Sequence, residues 1–334
     1  MKKLCSILWA RRLLTYISEA DAWLPEFCRI CATEKLVGLV PLQKKWPRSP
    51  SAIGRNTRSP DDGIDPPRLD YPIEITESRT CDVSVKERRI FLRQPVRVGC
   101  AGWSIPRQAA AHFASRGSHL ERYSQSFNSC EINSSFYRPH KKETWERWAR
   151  SVPAEFRFSV KAPKTITHDA KLNCSSEVLS AFLEQINCLH ERLGPVLIQL
   201  PPSLEFDYAR ARKFLSMLRG SFSGDVVWEP RHGSWFDLQV DDLLMEYQIA
   251  RVAADPACVP AAARPGGLAS LAYFRLHGSP RRYFSAYSSD SLNMLVAQLA
   301  TLDGRARVWC IFDNTALGAA IPNALELAAK LRKL

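Results

Sequence analysis

The chain is read as an α/β protein, a TIM-type (β/α)8 barrel that is incomplete, with one helix between strands 6 and 7 replaced by a loop. Three observations predict it. Eight short apolar runs recur after position 95, amphipathic segments separate them, and polar pairs fall late in several runs. In order, the runs are "VRVGCAGW" (96–103), "SCEINSSFY" (129–137), "RFSVKAP" (157–163), "PVLIQLP" (195–201), "DVVWEPR" (225–231), "RVAADP" (251–256), "AYFRLHG" (272–278) and "RVWCIFDN" (307–314). Each is strand-length and β-branched or aromatic, as suits a strand covered on both faces.

Helical stripes lie between the runs. Leu120, Tyr123 and Phe127 follow the first, and Trp145 and Trp148 follow the second. The clearest stripe joins Leu179, Phe182, Leu183, Ile186, Leu189 and Leu193 over 176–193, ended by Gly194 and Pro195. Phe214, Leu215 and Leu218 continue the series. The link "ACVPAAARPGGLASL" after 256 is too short and too rich in Pro and Gly for a helix, so a loop is expected there. A doubly wound open sheet is the alternative fold, but no glycine-rich phosphate turn follows the first run.

Residues 1–95 have a different texture. They lack sustained periodicity and hold nine of the 22 prolines, and "WPRSPSAIGRNTRSPDDGIDPPRLDYP" reads as a loosely held linker. The expected organisation is a leader over 1–95, largely disordered or loosely structured, and a folded domain over 96–334. Met1 is the only methionine before Met217, and translated upstream sequence is an alternative origin for much of 1–85.

A formal charge of +12 is spread along the chain, with 17 Lys and Arg against 12 Asp and Glu before position 96 and 29 against 22 after it. No basic block is dense enough for a nucleic-acid arm, and the balance fits either a basic soluble surface or an affinity for anions. Among ten cysteines, Cys100, Cys130 and Cys310 sit inside apolar runs and read as reduced core residues of a cytoplasmic protein. "CRIC" (Cys28, Cys31) offers half of a zinc-knuckle spacing with no second pair. The opening "MKKLCSILWARRLL" is interrupted by Arg11 and Arg12, too soon to cross a bilayer and poor as a secretory signal, so no membrane partner is expected.

Residues two apart in a strand share a face. Glu131 with Asn133, Ser159 with Lys161, Glu229 with Arg231, and Arg275 with His277 are spaced this way, each pair late in its run. In a barrel of parallel strands those late halves converge on one rim, where loops build active sites. Two readings fit. Glu229 with Arg231 or Arg275, and Glu131 with Lys161, fill a layer as structural ion pairs, or the polar mouth binds an anion. The cations Lys161, Arg231 and Arg275 disfavour a metal cluster, leaving only a single ion on His277, Asp255 and Glu229 as a metal alternative. The sequence assigns no cofactor.

In the stretches "VGCAGWS", "CEINSSFYRPHKKETWERWARSVPAEFRFSVKAPKTITH", "LGPVLIQLPPSL", "WEPRHGSWF", "YFRLHG" and "FDNTALGAAIPNA", the chain resembles the domain of unknown function 72 family, also called YecE-like. The resemblance spans about 96–330 and implies a TIM-type barrel of bacterial, cytosolic character. It brings no reaction. Matched position by position, it selects Gly102, Trp103, Ser104, Glu131, Asn133, Tyr137, Lys161, Ala162, Pro163, Thr167, His168, Gln199, Pro201 and Pro202. Glu229, Arg231, Trp235, Arg275, His277, Gly278, Asn314 and Asn323 complete the set. Gly233 stands where the family pattern has Pro, and Asp313 stands where an amide often precedes Asn314, which adds negative charge at the rim.

Two functions compete. In the first, the protein is a hydrolase or lyase acting on an anionic, phosphate-bearing or nucleic-acid ligand. Glu229 or Glu131 then serves as general base and His277 as acid, with Arg231, Arg275 and Lys161 as an anion clamp. Asn133, Trp103, Tyr137, Gln199 and Asn314 join as ligand contacts. In the second, the protein binds such an anion without turnover, with Trp103, Tyr137, Trp235 and Tyr283 as candidate stacking faces.

Overall fold

The computed structural model describes residues 95–333, so the leader, its "CRIC" pair and the question of its origin lie outside the described residues. The strands are β1 (Arg97–Cys100), β2 (Ser129–Ile132), β3 (Arg157–Lys161), β4 (Leu193–Gln199), β5 (Val226–Glu229), β6 (Ala250–Arg251), β7 (Ala253–Asp255), β8 (Gly266–Gly267), β9 (Leu271–Leu276) and β10 (Arg307–Phe312). The helices are α1 (His119–Ser124), α2 (Lys142–Arg150), α3 (Ser176–Asn187), α4 (Tyr208–Ser221), α5 (Leu238–Glu246), α6 (Ser289–Leu299) and α7 (Ala320–Leu331). The result is a mixed α/β fold with a parallel-sheet core.

The strands form two sheets, ordered β1-β10-β9-β7 and β2-β3-β4-β5-β6-β8. All neighbours are parallel except β6 and β8. The sheets approach at two joints. Ala101 forms an isolated parallel bridge with Glu131, and the Gly102 amide donates to the Glu131 carbonyl at 2.9 Å. At the other joint β6 and β7 are one chain interrupted only at Val252, whose amide donates to the Trp228 carbonyl at 2.9 Å. Among the described residues no unbroken ladder closes the two sheets into a ring.

Period-2 burial explains why these runs are strands. One set of faces, from Leu197, Val227, Ala250, Val252, Leu271, Tyr273, Trp309 and Ile311, packs into a core of its own. The opposite faces pack against the helices in a second, larger core. Both faces are therefore covered, as parallel strands require. The expected stripes are buried: Leu179, Phe182, Leu183 and Ile186 in α3, and Phe214, Leu215 and Leu218 in α4. Local signals set the boundaries. Ser118 and Glu121 form a capping box at α1, and the carboxylates of Asp207 and Asp237 accept backbone amides at the starts of α4 and α5.

Two boundaries differ from the sequence expectation. The third helix ends at Asn187, and Gly194 with Pro195 lies inside β4 rather than terminating a helix at 193. Gly194 is needed there for space, because a Cβ at that position would lie 2.6 Å from the Trp309 ring. The link after β7 contains a short 3-10 turn at Pro260–Ala263 and the two-residue β8, with no α-helix. Among the described residues no helix is long and apolar enough to cross a membrane.

Candidate functional site

Each inner strand face turns from apolar to charged partway along its length. Leu271 and Tyr273 are followed on the same face by Arg275 and His277, Val227 by Glu229, and Ile311 by Asp313. The parallel register lifts these late residues to one end. Arg275 is the hub and is fully buried. Its Nε and Nη2 donate to Glu131 Oε2 and Oε1 at 3.0 and 2.6 Å, a bidentate fork. Its Nη1 donates to Glu229 Oε2 at 2.8 Å, and Nη2 also reaches Asp313 Oδ2 at 3.1 Å.

A second tier surrounds the hub. Arg231 Nη2 lies 2.8 Å from Glu229 Oε1, and His277 Nε2 lies 2.9 Å from that same oxygen. His277 Nδ1 is 3.0 Å from Asp313 Oδ2. The Tyr273 hydroxyl donates to Glu131 Oε2 at 2.9 Å and shares a 2.6 Å hydrogen bond with Ser159 Oγ. Every carboxylate of the layer is thus engaged by donors.

Opposing forces set the protonation states. Burial opposes ionisation of Glu229, but Arg231, Arg275 and His277 outweigh it and hold the carboxyl well below the usual carboxylate range. Asp313 is lowered in the same way, chiefly by Arg275 and His277 against the cost of burial. Burial also opposes the charge on Arg275, yet Glu131, Glu229 and Asp313 push its pKa well up. Burial, then the Glu131 charge, raises the Tyr273 hydroxyl well above the phenol range.

Lys161 behaves differently. In the register of β2 and β3, Glu131 lies opposite Ser159, so Lys161 sits two residues further along and does not pair with Glu131 as one sequence reading expected. The residue is only 9% exposed, its amine lies 4.1 Å from the centre of the Phe136 ring, and among the described residues it has no ion pair. Burial and then Arg275 push its pKa down to about 8, although Glu131, Glu229 and Asp313 pull the other way.

Of the residues selected from sequence, Glu131, Glu229, Arg231, Arg275 and His277 meet in this network. Lys161 stands beside it, and Asn133 reaches Asp313 Oδ1 at 3.5 Å from the turn after β2. Gln199, the last residue of β4, is aligned with Glu229. Three others make no hydrogen bond to this network among the described residues. Trp103 packs edge-on against Trp148 and Phe158, Tyr137 is 74% exposed, and Asn314 holds the Ser285 carbonyl and Asn323 Oδ1, both at 3.0 Å. Trp235 is buried against Phe206 and Trp228, which leaves it no face for a ligand. Asp255 accepts the Tyr287 hydroxyl at 2.6 Å, and among the described residues no group of three His, Cys, Asp or Glu is placed to hold a metal.

Sequence reasoning missed Tyr273 and the part played by Asp313. Tyr273 shares its face with Arg275, and Asp313 shares its face with Ile311, so extending the same period by one step in each strand would have found both.

The wider comparisons agree with the motif resemblance. The sequence profile of a family described as "Protein of unknown function DUF72" matches residues 97–334. The UPF0759 protein YecE of Escherichia coli is 32% identical over 142 residues, which is 42% of this chain and 50% of that protein, so the match spans about half the length of this curated relative. A DUF72 family protein of Thermotoga maritima superposes with a TM-score of 0.62 at 27% identity, over 72% of this chain and 100% of that one. A DUF72 family protein of Enterococcus faecalis gives the same TM-score at 22% identity, over 72% and 96%. With the family profile covering nearly all of the described residues, the chain belongs to the DUF72 family of proteins of unknown function.

Proposed function

We propose that the protein binds a small phosphate- or carboxylate-bearing anion at the carboxyl ends of its parallel strands and acts on it as a hydrolase or lyase. Lys161 carries this reading. A mostly buried amine without an ion pair is expensive to keep, and an entering anion recovers part of that cost. Arg231 stands in the same network with its Nε donor buried and unpartnered. Lys161, Arg231, Asn133 and Gln199 are the proposed ligand contacts, with Arg275 fixing the layer beneath.

The proposed frame is an incomplete eight-stranded TIM-type barrel. The Ala101–Glu131 bridge and the continuous chain through Val252 support it, because they join the two sheets at both edges. Strand ends would then surround one mouth. The buried thiols of Cys100, Cys130 and Cys310, all free, support a reducing, cytoplasmic setting.

Proton transfer falls to His277, oriented by Asp313. Both oxygens of Glu131 already accept from Arg275, and Glu229 is held ionised by two arginines, so each carboxylate positions other groups, whereas His277, whose two ring nitrogens meet Asp313 and Glu229, can relay a proton between them. That same engagement favours a second reading, an anion-binding protein without turnover. Calorimetric titration with inorganic phosphate, phosphomonoesters and nucleotides tests the site. Lys161→Met is expected to weaken binding roughly tenfold or more. Unchanged affinity in the variant, or no binding by the wild-type protein, overturns the proposal. His277→Gln separates the two readings, since only an enzyme loses product formation while keeping affinity.

A further inference from the structure

Among the described residues Lys161 makes no ion pair. The register places it beyond Glu131, and the nearby carboxylates are already engaged. Arg275 and Tyr273 occupy Glu131, while Arg275, Arg231 and His277 occupy Glu229. Asp313 is taken by Arg275 and His277. What the amine does meet is the face of Phe136. The His168 ring makes a T-shaped contact with that same Phe136 at 4.9 Å between ring centres. His168 belongs to a π-helical turn, Thr165–Asp169, that begins four residues after Lys161, and its Nδ1 is fixed by Thr167 Oγ1 at 2.8 Å. Phe136 thus contacts both an amine that has no ion pair among the described residues and an oriented imidazole.

We propose that Lys161 is a nucleophile that forms an imine with a small anionic carbonyl compound, such as a 2-oxo acid or a phosphorylated ketone. The step rests on the anion site proposed above and adds a covalent bond to it. Arg231 holds the anionic group. The neutral Lys161 nitrogen attacks the carbonyl carbon, forming a C–N bond as the carbonyl π pair moves to oxygen, and one amine proton passes to that oxygen to give the carbinolamine hydroxyl. The second amine proton then passes to the hydroxyl, which leaves as water as the C=N bond forms. Amine and carbonyl give imine and water, so no oxidant or reductant is consumed.

Chemistry of this kind needs a free amine near neutral pH. Burial and Arg275 supply it by lowering Lys161 to about 8, and the charged groups that bear on it are Arg275, Glu131, Glu229 and Asp313. A lysine that only balanced charge would be expected to sit against one of the three carboxylates.

Trapping with sodium borohydride tests the inference. The full-length protein is incubated with pyruvate or dihydroxyacetone phosphate, reduced, digested and mapped by mass spectrometry. A reduced adduct is expected on Lys161, forming roughly tenfold or more faster than on surface lysines, with a rate that climbs and levels off near the titration of that amine. In Lys161→Arg, which cannot form an imine, the adduct should disappear, and binding of lactate and glycerol 3-phosphate, which lack the carbonyl, is measured on the wild-type protein. Adducts spread evenly over surface lysines, or unchanged in Lys161→Arg, overturn the imine. If the variant does not fold, the map of the wild-type protein decides alone. Binding of lactate or glycerol 3-phosphate without any adduct on Lys161 leaves the anion site standing and removes the imine; binding of neither compound removes both.

Discussion

The two ends of the parallel strands solve the same problem differently. At the amino end, Arg97, Arg157 and Arg307 open their strands, and each is given an answering group. Arg97 donates to the Asn128 and Glu155 carbonyls at 3.1 and 2.9 Å and lies over the Trp309 ring. Arg157 donates to the Ala154 and Phe156 carbonyls, and Arg307 is paired with Asp225. Above them the interior is apolar, with Trp309 stacked on Tyr273 at 5.8 Å. At the carboxyl end the interior is ionic, and among the described residues one cation, Lys161, has no carboxylate partner. Tyr273 is the boundary, its ring in the apolar half and its hydroxyl in the charged half. A satisfied charge is architecture, and an unsatisfied one needs another explanation.

The comparison breaks most severely at Arg275. Replacing it by Met leaves Glu131, Glu229 and Asp313 short of their shared donor and should cost roughly 3 to 5 kcal/mol in urea denaturation, the range for a broken buried pair. The wild-type loss in acid should follow the same groups. Glu229 and Asp313 have lowered folded values, so their contribution is complete above the ordinary values of 4.5 and 3.8 and is lost as pH falls through the lower folded ones. Arg275→Met should flatten that acid limb.

Lys161→Met sharpens the contrast in the opposite sense. The folded protein binds this proton less tightly than the unfolded chain, so charged Lys161 destabilises the fold below about 8. The substitution should therefore stabilise the protein by up to roughly 3 kcal/mol at pH 7. The advantage should shrink between about 8 and 10.5, where the wild type sheds the proton in the folded state alone. Melting curves across that window check it, and a variant less stable than wild type at pH 7 would contradict the isolation of the amine.

Smaller effects probe the amino half and the boundary. Gly194→Ala drives a methyl group into the Trp309 ring and should cost about 1 to 3 kcal/mol, independent of pH. Tyr273→Phe leaves Glu131 one donor short and should cost about 1 to 2 kcal/mol by urea titration. Arg97→Gln, at the satisfied end, should cost about 1 kcal/mol and leave phosphate affinity untouched. A loss of phosphate binding in that variant would move the anion site to the other end.

Much of this was legible along the chain. Alternation by two placed Glu131, Glu229, Arg275 and His277 on inner faces and late in their strands, and the Pro- and Gly-rich link after β7 announced a segment without a helix. Local chemistry also marked caps, as at Ser118 with Glu121. Pairing was not legible. Strand periodicity states which side a residue faces but not its height relative to a neighbouring strand, so Glu131 was matched to Lys161 rather than to Arg275, which is 144 residues away. Tyr137 and Trp103 carry aromatic rings suited to stacking, yet only packing shows one to be exposed and the other wedged against Trp148 and Phe158.

The sequence by itself determined the alternation of strands and helices, the faces of each strand, and the family to which the chain belongs, because these depend on neighbours a few residues apart. Tertiary structure alone decided which charges meet and which is left over. Ion pairing depends on separations of about 3 Å between atoms on different strands, and register, not composition, fixes those distances.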